Sequence, residues 1–212
     1  MPIPVAHRAM VDMGQGGHLR LSPRLRAETP MRDMEPSSLL TYPTSGTDLH
    51  AFPGRAGPVD LMRYPLGPAH EDFVMLLDMP YPAVSWAAAT RAQGDAALSL
   101  KRADVLPQTM LWYSNGGRDY PPWNGEHVGV LGIEEACSAG AFGWRASIED
   151  NALRAEGIAT ALDLTAASEV SVSVALGALP VREAAVSVQE TGETLVLSDA
   201  TSAPFDPDFL AG

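Results

Sequence analysis

The feature that most constrains this chain is period-two alternation in short runs closed by Gly, Pro or Asp. Ser168–Leu176 reads SEVSVSVAL, polar and apolar in turn, the pattern of a strand with one buried face. Strand-length runs recur at His18–Ser22, Asp72–Met79, Val84–Arg91, Ala96–Lys101, Met110–Ser114, His127–Glu134, Leu153–Leu164, Glu169–Leu176, Ala184–Gln189 and Thr194–Leu197. Gln93-Gly94-Asp95, between two of them, reads as a hairpin turn. Residues 134–146 admit a short helix, limited by Gly140 and Gly143. Residues 23–70 carry eight prolines and read as an irregular excursion, with short strands expected near Ser38–Thr41 and Val59–Met62. The expected fold is all-β: an antiparallel β-sandwich in a single domain spanning 1–212.

Composition narrows the partners. A net charge of −12 opposes a nucleic-acid partner, because neutralising phosphates requires clustered Lys and Arg. No run of about 18 apolar residues is present, so no membrane span is expected, and the N-terminus lacks a secretory pattern. The single cysteine, Cys137, cannot form an internal disulfide and reads as a buried small hydrophobe. A cytoplasmic setting is the expectation. Neither a P-loop, a Gly-Xaa-Ser-Xaa-Gly elbow nor a dinucleotide fingerprint occurs. His127 with Glu126 and Glu134 does not form a metal-ligand pattern, since no second His lies nearby. No cofactor or metal is expected.

One stretch is too polar for a core and too patterned for a linker: TMLWYSNGGRDYPPWNGEHVGVLGIEEACS, residues 109–138. Asn115-Gly116-Gly117 permits a sharp turn that presents Arg118. Adjacent Glu134 and Glu135 on one strand must point to opposite faces, so only one can enter a given cleft.

With the Leu-Pro that precedes it, this stretch resembles the C-terminal half of the galactose mutarotase-like family, the aldose 1-epimerases and their relatives. The similarity lies in an aromatic strand, a GGR turn, a Pro-Trp-Gly element and a strand ending in Gly-Ile-Glu. GDAALSLKRADVLP, AHEDFVMLL, AHRAMVDMGQGGHLRLSP and SVSVALGALP extend it over roughly residues 5–180. Family members are much longer, and the resemblance implies a sandwich lacking their N-terminal half. It implies anomer interconversion of a monosaccharide: a base takes the C1 hydroxyl proton while an acid protonates the ring oxygen. Glu134 maps to the base and His7 to the acid. His70 or Glu71 would bind hydroxyls, with Asp72 an equal match for the acidic position. Trp112, Trp123 and Tyr120 would face the sugar, and Arg118 would bind a hydroxyl or brace the loop. Two other classes fit the same residues, a non-catalytic carbohydrate-binding protein and an interaction module. A sheet edge left open by the missing half leads to the expectation of a homodimer.

Overall fold

The computed structural model describes residues 1–30, 35–78, 84–164 and 169–180, with the backbone of 188–191, 194–197 and 202–204. In chain order the elements are β1 (Pro2–Ile3), β2 (Val5–Asp12), β3 (Gly17–Leu21), β4 (Arg24–Glu28), β5 (Ser45–Gly46), β6 (Arg63–Tyr64), β7 (His70–Asp78), β8 (Val84–Arg91), β9 (Asp95–Arg102), β10 (Gln108–Asn115) and β11 (Val130–Cys137). A 3-10 turn (Gly140–Phe142) leads into α1 (Gly143–Ile148) and α2 (Ala152–Ala155). Then come β12 (Leu162–Asp163), β13 (Val174–Pro180), β14 (Val188–Thr191), β15 (Thr194–Leu197) and β16 (Ser202–Pro204).

Two antiparallel sheets form the expected sandwich. One has the order β2-β11-β10-β7-β4-β5, the other β13-β9-β8-β3-β6. Alternation decides what lies between them. Val11, Leu111, Tyr113, Leu131, Ile133, Val74 and Leu76 from the first sheet meet Leu19, Ala87 and Ala89 from the second. Burying such side chains contributes on the order of 1.5–3 kcal/mol each, which is why the pleat sets the layers. The residues between them in sequence point outward, Glu71, Phe73, Trp112 and Glu134 among them. Directly opposed residues share a face, so the registers Trp112↔Gly132, Trp112↔Phe73, Met110↔Glu134 and Glu134↔Arg8 define one outer surface.

At one end the interior is ionic. Lys101, fully buried, lies 2.5 Å from Asp78 and 2.9 Å from Glu135. Arg24 pairs with Asp78 and bonds Ser85. Ser99 and Thr109 donate to Glu135 at 2.8 and 2.7 Å. Two cations and two carboxylates thus balance in the layer. Burial raises the pKa of Asp78 despite Arg24 and Lys101. Burial works the same way on Glu135, but Lys101, Arg24 and the Thr109 hydroxyl outweigh it and hold Glu135 below the usual carboxylate range.

Several expected boundaries shift for physical reasons. Of the expected strand Leu153–Leu164 only Leu162–Asp163 is paired, with β1. Its start is helical instead, because Asn151 accepts from the Arg154 N–H at 3.0 Å and caps α2, and Leu153 and Ile158 pack on Met75, Leu77 and Met110. The strand expected from His127 starts at Val130, because Gly129 has φ 73°. The turn between β8 and β9 is Ala92–Gly94, closed by Gly94 N–H to the Arg91 carbonyl at 3.0 Å. The strand expected from Glu169 is paired only from Val174. Ser38–Thr41 and Val59–Met62 contribute isolated bridges, Leu40↔Gly54 and Phe52↔Val59. The strand run Val5–Asp12 and β4 are additions to the sequence reading. Met79 and residues 184–187 lie outside the described residues. Among the described residues, no helix is long and apolar enough to cross a membrane.

Candidate functional site

The outer face of the six-stranded sheet gathers most of the polar and aromatic residues that the sequence singles out. Its floor is Trp112 on β10. Gly132, directly opposite on β11, leaves room for the indole: a Cβ there would lie 3.1 Å from the Trp112 Cβ and 3.5 Å from Cε3. Phe73 stacks beside Trp112 at 5.8 Å between ring centroids, and the His127 ring stacks on it at 5.2 Å and 18°. Trp123 meets both Trp112 and His127 edge-on, at 6.4 and 5.1 Å. Two guanidinium groups lie over the aromatic floor. Arg8 is 5.7 Å from the Trp112 centroid, while Arg118 is 5.2 Å from Trp112, 4.9 Å from Trp123 and 5.8 Å from Phe73.

Each guanidinium holds carboxylates. Arg8 reaches both oxygens of Glu134, Nε to Oε1 at 2.8 Å and a terminal nitrogen to Oε2 at 3.0 Å. Arg118 Nε lies 2.8 Å from Glu35 and 3.5 Å from Glu71. The Tyr120 hydroxyl reaches both Glu35 oxygens, at 3.0 and 2.9 Å.

Glu71 sits beneath this cluster without solvent contact. The Trp112 indole N–H donates to Oε1, and the Ser114 hydroxyl donates to Oε2 at 2.9 Å. Burial raises its pKa despite the opposing indole, Ser114 and Arg118. His127, half-buried at the far end of the loop, places Nδ1 2.6 Å from the Ser114 hydroxyl oxygen. Burial first, then the Arg118 charge, lowers its pKa below the ordinary 6.5.

The loop between β10 and β11 carries Arg118, Tyr120, Trp123 and His127. Gly116 N–H donates to the His127 carbonyl at 2.8 Å, and Gly125 N–H to the Arg118 carbonyl at 2.7 Å. Gly117 presses on β7: a Cβ there would meet the His70 carbonyl carbon at 2.4 Å and the Glu71 nitrogen at 2.6 Å. No side chain fits, so the GG dipeptide is what lets Arg118 lie against Glu71.

The structure separates residues that the sequence reading joined. Glu134 is opposite Arg8, whereas His7 is opposite Glu135. Glu135 points inward to Ser99 and Lys101, so His7 and Glu134 occupy opposite faces of one sheet. His7 instead lines a hollow of about 450 Å³ with Val5, Leu106, Val172 and Val174. The expected acid–base pair of Glu134 and His7 does not share a cleft, because the register of β2 on β11 sets Arg8, not His7, beside Glu134.

His70 is corrected as well. It is fully buried on the inner face, where Nε2 accepts the Leu66 N–H at 3.2 Å and Nδ1 therefore gives its proton to Asp72 at 3.1 Å. Asp72 also accepts the N–H groups of Leu39 and Leu40 at 3.0 and 3.1 Å and the Tyr42 hydroxyl at 3.2 Å. Asp72 fastens the loop before β5 to the sheet and His70 fastens the turn after β6, and of the three candidates on β7 only Glu71 faces the cluster. Trp112 is only 7% exposed, so it is the floor under the charged groups, while Tyr120, at 41%, offers the open ring. Cys137 is buried, which pushes its thiol up to about 11.

Sequence reasoning assigns no site role to Glu35 or Arg8 and weighs His127 only as a metal ligand. Glu35 lies in the proline-rich excursion, where no pattern marks it. The His127 signal was present, since the turn-rich loop must bring its two ends, Ser114 and His127, together. Among the described residues, no group of three His, Cys, Asp or Glu side chains is arranged to hold a metal ion. Comparison with protein-family models, curated proteins and solved structures finds no match.

Proposed function

We propose that this chain binds a neutral monosaccharide on the outer face of its six-stranded sheet, in the manner of an aldose 1-epimerase-type site. The observation that carries this reading is the aromatic floor flanked by two guanidinium–carboxylate pairs, Arg8–Glu134 and Arg118–Glu35. A sugar offers apolar C–H faces and, around its edge, hydroxyls that donate and accept. Ring faces suit the first, and each ion pair supplies both donors and acceptors for the second. Charge favours a neutral ligand: two arginines face three carboxylates, Glu35, Glu71 and Glu134, which opposes a phosphate. Trp123 and Tyr120 on the loop supply the accessible rings.

Binding is the part of the reading that the arrangement supports best. Ring opening by Glu134 with His7 would require both on one sugar, and the register of β2 and β11 keeps them apart. Saturation-transfer NMR with a panel of aldoses, glucose and galactose first, tests the proposal. Transfer to ring protons is expected, weakened about tenfold or more by Trp123→Ala or Arg118→Ala. No transfer from any aldose at millimolar concentration overturns it.

A further inference from the structure

We propose that His127 is the proton-transferring group of this face, held in its Nδ1–H form by a buried Ser114–Glu71 relay. Its Nε2 then takes the anomeric hydroxyl proton of a bound aldose. The substrate named here rests on the carbohydrate reading above; the relay rests on the geometry alone.

The direction of each proton follows from counting donors. The indole N–H of Trp112 can only donate, and it occupies Glu71 Oε1. The Ser114 hydroxyl has one proton, given to Glu71 Oε2 at 2.9 Å. With Glu71 ionised, as the indole N–H, Ser114 and Arg118 around it favour, the Ser114 oxygen accepts at its 2.6 Å contact with His127, so Nδ1 is the donor. The Nε2 lone pair is left as the base, and among the described residues no protein group bonds to it. Stacking on Trp112 and the edge of Trp123 fix the ring plane. Ser114 and Glu71 have no solvent contact, so neither can touch substrate. They are positioning residues, and Ser114 is no nucleophile.

The chemistry balances with water as the other partner. Nε2 accepts the O1 proton, the O1–H electrons form the C1=O1 bond, and the C1–O5 electrons move to the ring oxygen, which takes a proton from water. The imidazolium charge is met through Ser114 by the Glu71 carboxylate. On reclosure the O5 hydroxyl attacks the other face of C1 and returns its proton to the hydroxide. O1 then recovers the proton held on Nε2. A histidine kept below its ordinary pKa is in the base form at neutral pH.

Two measurements on the full chain test this separately. Long-range proton–nitrogen NMR of the imidazoles is expected to show His127 as the Nδ1–H tautomer, with that preference weakened in Ser114→Ala and restored in Ser114→Thr. A dominant Nε2–H tautomer in the wild type overturns the relay, with or without sugar. Exchange NMR of α- and β-anomers is expected to show a rate that rises with pH through an apparent pKa below 6.5 and levels above it. His127→Gln should lower that rate at least 100-fold while saturation transfer persists. Binding without exchange in the wild type, or exchange that survives His127→Gln, removes the catalytic role and leaves the binding reading standing. No binding at all removes the binding reading and the substrate, and the tautomer result then judges the relay by itself.

Discussion

His127 and Lys101 show how one side chain sets conditions for its neighbours. The folded-state pKa of His127 lies below that of the unfolded chain, so the unfolded state binds the proton more readily. Stability is therefore expected to fall as pH drops below about 6.5 and to level off below the folded pKa. The urea midpoint measured between pH 7.5 and 5 should show this loss, reduced in His127→Gln. The sign for Glu135 is that of a depressed carboxylate: its contribution is present above pH 4.5 and vanishes as pH falls through its lower folded value. Lys101→Met removes one cation of the interior layer and leaves Glu135 and Asp78 to Arg24 alone. The expected loss is about 3–5 kcal/mol, read as a lower thermal midpoint.

Among the elements, β10, β11 and the loop between them decide the site. Gly117→Ala drives a methyl group into the β7 backbone, so the loop must lift and carry Arg118 away from Glu71. Sugar binding is expected to fall at least tenfold by NMR titration, with far-UV circular dichroism unchanged. Gly132→Ala crowds the Trp112 Cβ at 3.1 Å and should tilt the indole, with a smaller loss. Much of this was legible in sequence: NGGR announces the tight turn, and alternation over LGIEEA assigns Glu134 and Glu135 to different faces. The pairing of His7 with Glu134 failed because alternation fixes faces within a strand but says nothing about register between strands. A one-residue difference in the β2–β11 register exchanges Arg8 for His7 beside Glu134. The helix at Ala152–Ala155 was missed because its apolar side chains read equally well as a strand, and only the Asn151 cap and the Met75–Met110 surface decide.

For the whole molecule, the open side of the sandwich matters most. β2 and β13 are the edges there, and among the described residues neither has a strand on its outer side. Leu176 is opposite Ser99, whose hydroxyl points inward to Glu135, so Leu176 belongs to the inner face; yet it is 53% exposed, with Val170 and Val172 nearby in sequence also exposed. Apolar side chains beside unpaired backbone favour strand addition. A homodimer is the expected assembly, and light scattering of Leu176→Lys should shift it towards monomer. A wild-type monomer at high concentration would count against it. The contact of His127 with Trp112 adds a practical consequence. Protonated imidazole quenches indole emission more strongly than the neutral ring does, so this stacked pair makes the protein its own optical gauge. Emission that dims on acidification and keeps its brightness in His127→Gln would read the charge state of the face without any label.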